Sequence, residues 1–273
     1  MLKLEGIVVG RSSHAAAVVL FQEDYNENNA MMKTAKGQYT TQMDMRTTEQ
    51  AGSVKMDLLV IEALDRMRAC MNMLLEEGLM EWKGSLRETF NYYLHPDVID
   101  MKNEDMISLL YKAKNMSFFQ METMVGQQAL IKVQPKTFEE VCAVNSLMRL
   151  SVEGEEQPLD KFVRFRASNC EEWYAEMKKN GLNEYEMDIL KEHLSINYGI
   201  CSTQEALMKL TMDSRISNFD LIQSNIARKS IAKKNGKALE KFKDMFFNQG
   251  QEIGSRKEFL DYIWNYCFKP QFG

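Results

Sequence analysis

The sequence predicts an α+β fold, in which a small strand-containing portion leads into a larger, mainly helical one. Three observations predict it. Short apolar runs rich in β-branched residues are confined to the chain before Ile61. Beyond Gly78, helix caps and helical apolar spacing dominate. Finally, 273 residues with 45% apolar content are enough to bury a substantial core in one large domain or two.

The elements follow in order. Gly6-Ile7-Val8-Val9-Gly10 and Ala15 to Phe21 read as strands, separated by a turn-like Gly10-Arg11-Ser12-Ser13-His14. Residues 23–37 are polar and read as a loop. Tyr39 to Met43 reads as another strand, followed by a helical turn through Thr47-Thr48-Glu49-Gln50 that stops at Gly52. Val54 to Leu59 is a strand leading into a helix from Ile61 to Glu77, which Gly78 ends. Asn103 caps a helix with acidic residues in its first turn. Thr137 and Glu140 form a capping-box pattern after Pro135, opening a helix that runs to Met148. Residues 153–158 break the chain. Further helices are expected at 183–195, 203–211, 218–231, 237–250 and 255–268.

Composition narrows the chemistry. The net charge of −5 argues against a uniformly basic nucleic-acid coat, but not against a local basic groove. No apolar run is long enough to span a bilayer, and the N-terminus does not read as a secretory signal. Five scattered cysteines without a Cys-x-x-Cys pair, and three histidines far apart, exclude a recognisable zinc motif; they read as reduced thiols of a cytoplasmic protein. The 21 methionines read mainly as filling for an irregular helical core.

Two regions carry candidate chemistry. In Ser53 to Leu64 an apolar run holds Lys55 and Asp57, which share one face of a strand. A carboxylate in such a run needs a partner or a metal, so Asp57 is either a divalent-cation ligand with Lys55 beside it to meet a phosphate, or half of a local ion pair. The second region is basic: Arg228, Lys229, Lys233, Lys234, Lys237, Lys241 and Lys243, with Glu240 the sole acid among them. On a continuous helix Lys229, Lys233 and Lys237 would form a row able to track a phosphate backbone; a solvated helix face is the alternative. Arg149, at the end of an apolar helix, suits either the helix dipole or a phosphate. Phe118 to Glu122 reads as a hydrogen-bonded junction or as a helix start. Asp97 and Asp100 read as loop acids.

The ordered series of segments resembles the C-family replicative DNA polymerases, the bacterial DNA polymerase III alpha subunits. His14-Ala15-Ala16-Ala17-Val18-Val19 resembles the family's His-Ala-x-Gly-Val-Val. Thr41-Gln42-Met43-Asp44 is similar to Thr-Gln-x-Asp, and Val54-Lys55-Met56-Asp57-Leu58-Leu59 to Val-Lys-x-Asp-Phe-Leu. Phe119-Gln120-Met121-Glu122-Thr123 resembles Phe-Gln-x-Glu-Ser, and Pro135 to Glu140 resembles Pro-x-x-Phe-Glu-Asp. Tyr198-Gly199-Ile200 with Gln204-Glu205 and Met208 is similar to Tyr-Gly-Ile…Tyr-Gln-Glu-Gln-Val-Met, and Arg228-Lys229 falls where the family has Gly-Lys-Lys.

The resemblance implies residues 1–78 as the end of a palm and residues 79–273 as helical fingers. It implies Asp57 as the third catalytic, Mg²⁺-binding aspartate, with Lys55 beside it. It also implies Arg149, Gln204, Arg228, Lys229, Lys233 and Lys237 as contacts to template-primer DNA and the incoming dNTP. The family's Pro-Asp-x-Asp pair is absent from this sequence, so the Mg²⁺ site is incomplete in this chain. An upstream polymerase portion is therefore the expected partner, and the chain alone is expected to be inactive. Arg149-Leu150-Ser151-Val152 replaces the family's Arg-Pro-Gly-Pro, and Gln223-Ser224 replaces paired arginines. Such departures suggest a divergent, phage-like relative. A non-catalytic DNA-binding adaptor and an inactive remnant are the competing readings.

Overall fold

The computed structural model describes Ile7, Gly10, His14 and residues 16–112, 114–232 and 236–272. The architecture is α+β, with a small strand part near the N-terminus and helices elsewhere. The chain divides into two compact units, Met1–Met80 and Glu81–Gly273.

The first unit holds two antiparallel pairs. Strand β1 (Ala17–Leu20) pairs with β4 (Val54–Asp57), Ala17 opposite Asp57 and Val19 opposite Lys55. Strand β2 (Met31–Lys33) pairs with β3 (Tyr39–Thr41). This second hairpin, and the short helix α1 (Tyr25–Asn28), lie partly where the sequence reads as loop. Three residues per strand leave too little alternation to see. What closes the hairpin is backbone bonding: Thr34 N–H donates to Gln38 O at 2.8 Å, and Gly37 N–H to Thr34 O at 2.9 Å. The expected strand at 6–10 lies largely outside the described residues. Helix α2 (Met45–Gln50) starts at Asp44, whose carboxylate accepts from Thr47 N–H at 2.8 Å. Helix α3 (Glu62–Glu76) follows and stops before Gly78, as expected.

The second unit contains α4 (Leu86–Leu94), α5 (Glu104–Tyr111), α6 (Met124–Val133), α7 (Phe138–Leu147), α8 (Pro158–Ala167) and α9 (Glu171–Lys179). It continues with α10 (Glu184–Leu194), α11 (Gln204–Met212), α12 (Leu221–Ala232), α13 (Gly236–Glu252) and α14 (Lys257–Tyr262). A π-helical turn (Ile263–Phe268) and a 3₁₀ turn (Lys269–Phe272) close the described chain. Its core is aromatic: Phe162, Trp173, Phe242, Phe246 and Phe268 are fully buried. Rings of Phe246 and Phe268 meet edge to face with centroids 5.1 Å apart, a favoured arrangement.

Polar links fix the helices around that core. Glu140 is buried, and its carboxylate accepts from Lys136 N–H (2.7 Å), Arg166 Nη1 (2.8 Å) and Tyr198 Oη (3.0 Å). Thr137 Oγ1 accepts from Glu140 N–H, so the expected cap forms, but the Glu140 side chain serves this tertiary knot instead of returning to Thr137. A reciprocal capping box forms at Asn183 and Glu186. Tyr198 has φ 49° and Gly199 φ 86°, and any Cβ at Gly199 would sit inside the Trp173 indole. Only glycine lets that turn lie on the buried tryptophan.

The basic segment is not one helix. Gln223 Nε2, near the start of α12, donates to Gln249 Oε1, near the end of α13, at 3.1 Å, so the two helices run as an antiparallel hairpin. Lys229 therefore lies in the last turn of α12 and Lys237 in the first turn of α13, and the single-helix row does not form. Lys233 lies outside the described residues.

Candidate functional site

In the first unit the strand places Lys55 and Asp57 on one face, as the period of two requires. Lys55 Nζ lies 3.0 Å from Asp57 Oδ1, with side-chain exposures of 19% and 44%. His14 Nδ1 accepts from Ala16 N–H at 3.3 Å; its 3.9 Å approach to Asp57 Oδ1 is a neighbour contact and not a hydrogen bond. The apolar surroundings expected to bury Asp57 do not do so. Val54, Met56, Leu58, Leu59 and Val60 are all exposed, because a two-stranded pair covers little surface by itself. Asp57 thus has one oxygen engaged by an ammonium and a half-exposed carboxylate able to take another partner. Among the described residues no group of three or more His, Cys, Asp or Glu side chains is arranged to hold a metal ion. Among the described residues Asp57 has no such group around it, and a single carboxylate is short of the oxygen ligands that Mg²⁺ takes.

Six arginines of the second unit fall into two kinds. Arg164, Arg166, Arg215 and Arg256 are neutralised by carboxylates: Glu156 and Glu172, Glu140, Asp213 and Glu192, and Glu186 respectively. Arg149 and Arg228 are instead held by neutral amides. Arg149 Nη2 donates to Gln120 Oε1. Arg228 donates from Nε (3.1 Å) and Nη2 (2.8 Å) to Asn225 Oδ1, and from Nη1 (3.1 Å) to Gln204 Oε1. These guanidinium groups are oriented without being neutralised. The structure therefore brings together two of the sequence-derived candidates, Gln204 at the first turn of α11 and Arg228 on α12. Lys229 is exposed on the next position of α12. Nothing in the sequence marks the arginines' partners Gln120 and Asn225 as functional residues. Gln120 lies in Phe118 to Glu122, where a hydrogen-bonded junction is one of the two expectations; here it sits in a turn at φ 66°.

Other polar groups serve structure. The Asp213 side chain is only 7% exposed; burial pushes its carboxyl up, but the Arg215 and His193 hydrogen bonds outweigh that and hold it well below the usual range. Burial pushes the Cys267 thiol up to about 12 and raises Cys201 well above its ordinary value, so neither is a nucleophile at neutral pH. A cleft of about 340 Å³ lined by Glu155, Asn180, Asp261, Asn265 and Tyr266 contains none of the candidate residues.

Comparison with known proteins assigns the chain. The sequence pattern of the bacterial DNA polymerase III alpha subunit finger domain matches residues 83–254. That of the bacterial DNA polymerase III alpha NTPase domain matches residues 1–60. The probable DNA polymerase YorL of Bacillus subtilis is 47% identical over 272 residues, covering 100% of this chain and 21% of that protein. The DNA-directed DNA polymerase of Bacillus phage SPbeta shows the same 47% identity and coverage. The DNA polymerase III subunit alpha of Halalkalibacterium halodurans is 26% identical over 265 residues, covering 96% of this chain and 21% of the relative. The chain thus spans about a fifth of the length of the curated relatives it matches. It belongs to the bacterial DNA polymerase III alpha subunit family.

Proposed function

We propose that this chain is part of a DNA-directed DNA polymerase, residues 1–78 serving as the end of a palm and 79–273 as fingers. Asp57 supplies one carboxylate ligand to catalytic Mg²⁺, and the Pro-Asp-x-Asp pair comes from another polymerase portion. Magnesium, when bound, neutralises the charge that develops during nucleotidyl transfer. Lys55 keeps the Asp57 side chain oriented and meets a phosphate or the primer end. Arg149, Gln204, Arg228, Lys229, Lys233 and Lys237 contact the phosphates of template-primer and dNTP.

The observation that supports this reading most is the pair of amide-held arginines. In a chain of net charge −5, two guanidinium groups in the second unit are fixed in place yet keep their full charge for an external anion. Phosphate is the anion that a planar fork matches. The Lys55–Asp57 pair also fits a bland structural role, and the experiment separates the two. The purified chain is mixed with an upstream polymerase portion carrying the Pro-Asp-x-Asp pair, and Mg²⁺-dependent primer extension is measured. Extension by the mixture, absent from either part alone and abolished by Asp57→Asn, is expected. Extension by this chain alone, or a mixture indifferent to Asp57→Asn, contradicts the reading. DNA binding lost in Lys229→Glu but with no extension under any condition favours the adaptor reading.

A further inference from the structure

We propose that Asn225 is a positioning residue for the phosphate-binding arginine Arg228, selected to be neutral, and that Gln120 plays the same part for Arg149. The proposal rests on the reading of Arg228 as a phosphate contact.

The geometry of Arg228 makes the case. A guanidinium has five N–H donors. Asn225 Oδ1 takes two of them, from Nε and Nη2, and Gln204 Oε1 takes one, from Nη1. Both contacting amide atoms must be oxygens, because an amide NH₂ facing the guanidinium would set donor against donor. One N–H remains on each terminal nitrogen, and two N–H groups on adjacent nitrogens are what a bidentate phosphate contact requires. Asn225 sits three residues before Arg228 on α12, and Gln204 reaches in from the first residue of α11. The arginine is therefore braced by two elements, and the entropy of ordering its long side chain is met before any ligand arrives.

Charge explains why the braces are amides. The geometry would be equally well served by a carboxylate at 225, since Asp and Asn have nearly the same shape. Four other arginines of this unit use carboxylates. A carboxylate there would cancel the charge that the phosphate needs. The amide holds the fork and leaves its electrostatic attraction intact. Gln120, held in a turn at positive φ and accepting from Arg149 across 29 positions of sequence, repeats the device.

The test uses the full chain. Affinity for a fluorescent primer-template duplex is measured by anisotropy across a series of salt concentrations, and affinity for Mg²⁺·dNTP is measured at fixed salt. Arg228→Gln identifies the phosphate source. A backbone phosphate makes the slope of log K against log salt shallower by about 0.9, the share of one phosphate contact on B-form DNA. A triphosphate instead weakens dNTP binding. In whichever arm Arg228→Gln acts, Asn225→Asp is expected to reproduce it, while Asn225→Ala weakens binding about three- to tenfold without changing the salt slope, because the arginine keeps its charge. Thermal unfolding of each variant reports folding separately. An Asn225→Asp variant that folds and binds like wild type, while Arg228→Gln is impaired, overturns the positioning role alone. If Arg228→Gln changes neither arm, the phosphate reading of Arg228 falls, and the positioning role falls with it.

Discussion

Replacing Glu140 by Ala removes the acceptor on which three segments of the second unit converge. Its carboxylate is buried and receives Lys136 N–H, Arg166 Nη1 and Tyr198 Oη within 3.0 Å. Deleting it strands the Arg166 guanidinium, whose side chain is only 19% exposed, and the Tyr198 hydroxyl. Breaking one partner of a buried ion pair costs about 3–5 kcal/mol, because the other charge is left desolvated. Arg166 also donates to the Val133 carbonyl and retains some water contact, so the low end applies, about 3 kcal/mol. For a unit of this size that is a drop in Tm of roughly 6–12 °C, readable by scanning calorimetry. Glu140→Gln, which keeps an acceptor for Tyr198 and loses the charge, should fall between Glu140→Ala and wild type. Removing both partners, as in Glu140→Gln with Arg166→Met, should recover part of the loss. A fall of less than about 2 °C for Glu140→Ala would show that the knot does not hold the helices together.

Other consequences are independent of this one. Gly199→Ala should destabilise the second unit by at least as much, since its Cβ enters the Trp173 ring and its φ of 86° disfavours any side chain; an unchanged Tm would refute the packing described. Maleimide labelling of the native chain should modify exposed Cys70 and Cys142 and spare Cys201 and Cys267, mass spectrometry giving the sites; labelling of Cys267 without unfolding would contradict its burial. Asp213 has a depressed folded-state pKa, so its stabilising contribution is complete above the unfolded value of about 3.9 and is lost as pH falls toward the folded value. The stability gap between wild type and Asp213→Asn should therefore narrow below about pH 4, and a gap constant with pH would refute the linkage.

Much of this fold is legible in the sequence because its signals are local. Thr137, Asn103 and Asn183 each cap the helix that follows. What escapes is set by partners distant along the chain. Glu140 reads as a capping-box acid but is drawn away by Arg166 and Tyr198. Pro158 reads as part of a break and is the first residue of α8, where proline's missing N–H costs nothing. Helix α6 carries Gly126, a poor helix former in isolation, kept because a Cβ there would strike the Met121 backbone. The lysine row presumes one helix, whereas Lys229 and Lys237 belong to two, α12 and α13. Asp57 and Lys55 are visible as a pair two residues apart, whereas Gln120 and Gln204 reach Arg149 and Arg228 from 29 and 24 positions away and leave no local pattern; only Asn225, three residues before Arg228, is a local brace.

Two arginines, Arg149 and Arg228, are oriented by the fold and left charged. The most direct measurement is the salt dependence of primer-template binding by the wild-type chain and by the double variant Arg149→Gln with Arg228→Gln. If both meet backbone phosphates, the slope of log K against log salt becomes shallower by about 1.8 in the double variant, with the Tm unchanged. An identical slope and identical Mg²⁺·dNTP affinity in the two proteins would contradict the claim.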